Sequence, residues 1–213
     1  MRFFSGFGFV NERVLFEEWL LKGAYDVSGF SMGAIKAIEY AYSEILQQRR
    51  IHSLLLFSPC MLAHKSLAFK RLQLSSFQKD PQSYMDNFYQ EVGLNAKMER
   101  FKKEGSLEEL EFLLNYKYSD STKSYMDNFY QEVGLNAKME RFKKEGSLEE
   151  LEFLLNYKYS DSIIRFLLEK GVKIEVFIGL KDRITDIQAL LEFFMPLVQV
   201  WQFKDCNHLL QKS

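Results

Sequence analysis

Tyr25-Asp26-Val27-Ser28-Gly29-Phe30-Ser31-Met32-Gly33-Ala34-Ile35-Lys36-Ala37-Ile38 is the stretch that decides how this chain folds. Its first four residues have strand character, and the residues from Met32 onward have helical periodicity. Glycines on either side of Ser31 allow a tight turn between the two, and the small Ala34 lets the new helix pack closely. A strand that turns sharply into a helix presents the residue at the turn, here Ser31, beyond the strand's carboxyl end.

The same alternation extends outward in both directions. Arg2 to Phe7, Ile51 to Phe57, Lys173 to Ile178 and Val198 to Phe203 read as further short strands. Val14 to Lys22, Met32 to Gln48 and Ile163 to Lys170 read as helices. Strands alternating with helices predict an α/β protein with a mostly parallel sheet of about five strands. The middle of the chain interrupts this pattern and is helical throughout. The expected organisation is a core from residues 1–62 and 163–213, with a helical cap from residues 63–162 inserted over the sheet's carboxyl edge.

Within the cap, Ser83 to Ser121 recurs without a difference at Ser124 to Ser162. Repeat architectures need several diverged units stacked on one another, so two identical copies predict a tandem duplication of a segment that is complete as one. Each copy reads as three short helices. Tyr84, Phe88 and Val92 mark the first, Leu94, Met98 and Phe101 the second. Ser106 and Glu109 form a capping-box pattern ahead of the third, with Gly93 and Gly105 as the breaks.

Composition narrows the function classes. The 213 residues suffice for a buried core, and 47% apolar with 27% charged residues is ordinary for a globular protein. Lys and Arg number 28 against 29 Asp and Glu, so no overall positive charge is present to bind nucleic acid. Two isolated cysteines, Cys60 and Cys206, fit neither a disulfide framework nor a metal site, and neither metal nor cofactor is expected. The opening residues contain no long apolar run, and no stretch approaches 18 uninterrupted apolar residues; a cytoplasmic, non-membrane protein is expected.

A serine hydroxyl becomes a nucleophile when a base takes its proton and a carboxylate orients that base. Of the three histidines, His52 begins a strand and falls at the wrong edge of the sheet, and His64 lies where the chain enters the cap. His208 follows the last strand and emerges on the same edge as Ser31, so it is the expected base. Asp182, in the loop after Lys173 to Ile178, is the expected acid. Asp186 lies further into that loop, and Asp205 is placed to make a local turn. Backbone donors for a developing oxyanion are expected at Met32 N–H, directly after Ser31, and at Phe7 N–H in the glycine-rich Ser5-Gly6-Phe7-Gly8 loop.

These residues resemble the α/β-hydrolase superfamily, in which the chain order is likewise Ser, Asp, His. More narrowly, Phe3-Phe4-Ser5-Gly6-Phe7-Gly8, the Gly29 to Gly33 elbow, Gly179-Leu180-Lys181-Asp182 and Asn207-His208 resemble the short BioV-type pimeloyl-(acyl-carrier protein) methyl ester esterases of biotin synthesis. The resemblance implies hydrolysis of the methyl ester of a pimeloyl chain on its acyl carrier protein, releasing methanol through an acyl-enzyme on Ser31. Thioester or general short-chain ester hydrolysis would use the same residues, and a non-catalytic hydrolase-like binding protein, disabled by its doubled cap, is the alternative from another class.

The chain departs from the superfamily in three respects. Ser5-Gly6 stands where His-Gly is common. Only about twenty residues separate this loop from the elbow, too few for an extra strand and helix. Five sequential strands with right-handed crossovers would place the helices on one face, yet Leu54 to Phe57 is continuously apolar. The second face is therefore expected to be covered by cap helices or by another chain, as in a homodimer. Finally, Lys65, Lys70, Arg71 and Lys79 occur without an intervening acid and are a candidate landing patch for an acidic carrier protein and its phosphate.

Overall fold

The computed structural model describes residues 1–62, 65–93, 106–107, 110–111 and 160–212. Five strands, β1 (Arg2–Phe4), β2 (Asp26–Phe30), β3 (Ser53–Phe57), β4 (Lys173–Gly179) and β5 (Gln199–Phe203), form one sheet in sequential order. Every pairing is parallel. The helices among the described residues are α1 (Met32–Leu46), α2 (Leu67–Lys79), α3 (Pro81–Glu91), α4 (Asp161–Glu169) and α5 (Ile187–Phe194). All residues of β2 and β3 are buried, as expected of central parallel strands; Leu54 to Phe57 is continuously apolar, and the buried Asp26 of β2 accepts from the Ser53 hydroxyl at 2.7 Å.

Alternation along each strand separates two faces. Phe4 packs its ring 5.5 Å from that of Tyr40 on α1, so α1 covers the face shared by Phe4, Gly29 and Leu56. Helix α4 extends this layer, with Phe166 edge-on to Tyr42 of α1. The opposite face carries the register row Phe30, Phe57, Phe177 and Trp201. It is covered differently from expectation.

Neither the cap nor a second chain is needed over the middle of that row. The connection from β1 to β2 crosses it, as a 3-10 turn at Glu12–Phe16 rather than the expected helix from Val14 to Lys22. Phe16 stacks 4.6 Å from Phe57 and 5.1 Å from Phe30, while Trp19 lies 6.0 Å from Phe177 and 5.5 Å from Phe203. Two aromatic residues three positions apart can both point down from a single tight turn, which a connection this short makes possible. Among the described residues, Trp201 at the far edge of the row is 47% exposed.

The cap helices sit instead over the loop following β1. Phe77 of α2 and Phe88 of α3 pack 6.2 and 5.3 Å from Phe7, and the Tyr89 hydroxyl donates to the Gly8 carbonyl at 2.8 Å. Asp80 caps α3 by accepting from Ser83 N–H, and Pro81 occupies its first turn. The helix ends where the sequence places its break, with Gly93 following at φ +83°. Glu109, Gly105 and the expected helix around Met98, together with most of the second repeat copy, lie outside the described residues.

Phe16 is fully buried between Phe3, Phe30 and Phe57, whereas Val14 in the same turn is exposed. Phe16→Ala is expected to destabilise the protein by about 3–5 kcal/mol through the cavity it leaves. Val14→Ala should change stability by about 0.5 kcal/mol or less. Urea denaturation followed by far-ultraviolet circular dichroism measures both; a Phe16→Ala cost as small as that of Val14→Ala would mean the turn does not seal the sheet.

Candidate active site

The turn after β2 is held by main-chain contacts. Ser31 N–H continues the β2–β3 ladder by donating to Phe57 O at 2.9 Å, and Ser31 then adopts φ +55°, ψ −118° before α1 begins. A Cβ on Gly29 would lie 2.1 Å from the Gly33 carbonyl oxygen, and one on Gly33 would lie 2.0 Å from the Phe4 carbonyl oxygen. Both glycines are therefore required by backbone approach, the first within the elbow and the second between the helix and β1. The positive φ of a non-glycine residue is strain that this packing maintains.

Ser31, His208 and Asp182 come together at the carboxyl edge of the sheet. His208 Nε2 lies 2.9 Å from Ser31 Oγ, and His208 Nδ1 lies 2.6 Å from Asp182 Oδ2. With Nδ1–H donating to Asp182, Nε2 is left to accept the Ser31 hydroxyl proton. The other Asp182 oxygen accepts Ile184 N–H at 2.8 Å and Thr185 N–H at 3.4 Å, which fixes the carboxylate plane. Exposure is 1% at Ser31, 0% at His208 and 7% at Asp182, so these bonds act with little competition from water.

The loop carrying His208 is shaped by Asn207. Its Oδ1 accepts from Leu209 N–H and Gln211 N–H at 3.0 and 3.1 Å, and its backbone N–H donates to Gln211 O. The imidazole also rests 5.0 Å from the Phe30 ring. The remaining candidates have other roles. Asp186 caps α5 by accepting Ala189 N–H, Asp205 pairs with Lys181 at 3.5 Å, and the exposed His52 bonds through its backbone to Tyr25 O at the amino edge. His64 lies outside the described residues.

Met32 is the first residue of α1, so its N–H has no partner one turn earlier in the helix and suits an oxyanion donor. Phe7 is fully buried in the loop beside the elbow. One neighbour carried no sequence signal. Cys60, just past β3, is fully buried near Ser31 and Asp182; burial, reinforced by the Asp182 charge, pushes its thiol far above the usual cysteine range. A thiol shifted in this direction has little thiolate with which to compete as a nucleophile. Only the chain's passage across the strand ends, which isolated spacing does not reveal, brings it there.

A cavity of about 310 Å³ opens between the Phe7 loop, the cap helices and the loop of the acid. Leu62, Phe69, Phe88 and Ile184 give it apolar walls, and Arg183 and Glu91 stand among its lining. Tyr84, also in the wall, has its hydroxyl pushed above the usual range by burial. A larger cleft of about 410 Å³ at the amino ends of the strands, around Asp26 and Ile51, is on the opposite edge.

The proposed docking residues divide. Lys70 is only 4% exposed and engaged within the protein, because its position on α2 turns it inward. It cannot form part of a landing surface. Arg71 and Lys79 are exposed and Lys65 is half-buried. Among the described residues, no group of three or more His, Cys, Asp or Glu side chains is placed to hold a metal ion, and no helix is long and apolar enough to cross a membrane.

No family model matches the chain, and no curated protein does so. Solved structures that it resembles include the naproxen esterase of Bacillus subtilis (14% identity, TM-score 0.45, covering 87% of this chain and 53% of that one). BioG from Haemophilus influenzae (10% identity, TM-score 0.45) is covered over 98% of this chain and 87% of its own. An esterase from Exiguobacterium antarcticum (13% identity, TM-score 0.46) is covered over 86% and 59%. The chain thus spans little more than half the length of two of these three. What sets its fold is internal: a parallel sheet whose second strand turns through a strained serine into a helix, with the acid and histidine on the loops after the fourth and fifth strands. The described residues of this chain have the α/β-hydrolase fold.

Proposed function

We propose that the protein is a serine esterase that removes the methyl ester from a pimeloyl chain carried on acyl carrier protein, in the cytoplasm. The observation supporting hydrolysis is the continuous relay from Ser31 Oγ through His208 to Asp182, buried and fully bonded. The choice of substrate rests on the sequence resemblance, and an apolar cavity beside the site is of a kind that takes an acyl chain.

In the proposed reaction, Ser31 Oγ attacks the ester carbonyl while His208 Nε2 takes its proton. The charge that develops on the carbonyl oxygen is met by the Met32 and Phe7 N–H groups, and Asp182 stabilises the imidazolium through Nδ1–H. His208 then returns the proton to the departing methoxide, which leaves as methanol. Water, deprotonated by the same imidazole, releases the acid from Ser31 and restores the hydroxyl. Arg71 and Lys79, with Lys65, are the remaining cations to receive the carrier protein.

Methyl pimeloyl-carrier protein should release methanol with its thioester intact, and Ser31→Ala should lower turnover by about 10⁴-fold or more. Free carrier thiol as the product would identify a thioesterase instead. Absence of any Ser31-dependent turnover would favour a binding protein. Reversing Arg71 and Lys79 to Glu should depress activity on the carrier-bound ester by about tenfold while changing that on a small soluble ester by about threefold or less; equal losses would remove the docking role.

A further inference from the structure

The first residue of the 3-10 turn, Glu12, is completely buried. A glutamate at the start of a short surface connection could reach water at no cost, and enclosing its carboxyl is unfavourable unless strong bonds compensate. What it bonds is specific: Glu12 Oε1 accepts the Gly6 N–H at 2.9 Å. Gly6 belongs to the loop that lies against the nucleophile. A Cβ placed on it would stand 3.2 Å from Ser31 Cβ and 2.8 Å from Phe30 Cδ1.

The Gly6–Phe7 peptide contains the Phe7 N–H, the second oxyanion donor of the proposed reaction. Gly6 has no side chain to restrict its dihedrals, so this peptide could rotate unless its ends are tied. Downstream, Phe9 N–H closes a turn onto Gly6 O at 3.2 Å, and Tyr89 holds Gly8 O. Upstream, β1 ends at Phe4, and the Glu12 bond holds the Ser5–Gly6 peptide, so that with the Phe9 bond on Gly6 O it fixes Gly6 from both sides. Glu12 is in turn fixed by Phe16, stacked in the core four residues later.

We propose that Glu12 is a positioning residue for the oxyanion loop: by anchoring Gly6 N–H it keeps the following Phe7 N–H aimed at the carbonyl oxygen of a substrate attacked by Ser31. The proposal rests on the esterase reading above. It requires an acceptor atom at this place and no charge, which separates Gln from Ala as replacements.

The test compares wild type, Glu12→Gln, Glu12→Ala and Ser31→Ala on a small soluble ester. It adds inhibition by a trifluoromethyl ketone, whose serine adduct carries an alkoxide in the oxyanion hole, and a thermal melt of each variant. Glu12→Ala should lower kcat by about 10- to 100-fold with KM within about threefold, and weaken the ketone by a similar factor. Glu12→Gln should keep both within about threefold of wild type. Should Glu12→Ala fail to fold, Glu12→Asp, one methylene too short to reach Gly6, should show the same paired losses. The proposal is overturned if kcat is indifferent to loss of the acceptor, if the ketone binds unchanged while kcat falls, or if Glu12→Gln loses as much as Glu12→Ala with an unchanged melt. Ser31-dependent turnover with an indifferent Glu12 overturns this proposal alone; wild type without Ser31-dependent turnover overturns the esterase reading as well.

Discussion

Ser31 is held at a positive φ by its neighbours, and much else in the molecule follows from keeping it there. The Ser31 N–H is bonded to the end of β3, the Gly29 Cα is against the Gly33 carbonyl, and Gly33 is against the end of β1. Three consecutive strands thus meet within one turn. Any change in their order or register would displace the hydroxyl from His208, 177 residues away in sequence. The parallel sheet supplies this rigidity because its central strands are packed on both faces, and the strain at one residue is small beside that burial.

From this fixed point the relay is assembled on loops with little freedom. Asp182 is tied by Ile184 and Thr185, and His208 by the Asn207 turn. The cap contacts the same region through Tyr89 on Gly8 and through the aromatic cluster around Phe7. Core and cap therefore share the loop beside Ser31, and the cavity of about 310 Å³ lies along that seam. The first copy of the repeated segment reaches this seam: most of α3 belongs to it, and Tyr84, Phe88 and Leu110 stand in the cavity wall.

Much of this was legible in the sequence because the signals are local. A continuously apolar Leu54 to Phe57 has few structural uses, and an acid or histidine just after a parallel strand must fall at its carboxyl edge. Hence the mostly parallel sheet of five strands, and the shared edge of Ser31, Asp182 and His208, are legible in the sequence. What stayed hidden depends on which way a side chain turns. Phe16 and Trp19 have helical spacing, yet they seal the sheet from a 3-10 turn and an adjoining loop. Lys70 counts as a surface cation in a charge run but faces inward on α2, while Glu12 and Cys60 give no periodic or motif signal at all. Burial of single polar residues is set by tertiary packing, which one sequence does not display.

The central claim is that Ser31 is the nucleophile and His208 its base. Intact-protein mass spectrometry after exposure to a fluorophosphonate, with peptide mapping, tests it directly. The account predicts one phosphonyl adduct per chain, on Ser31, formed far more slowly in His208→Ala. No adduct, or an adduct that persists at another residue when Ser31 is replaced by Ala, would contradict it.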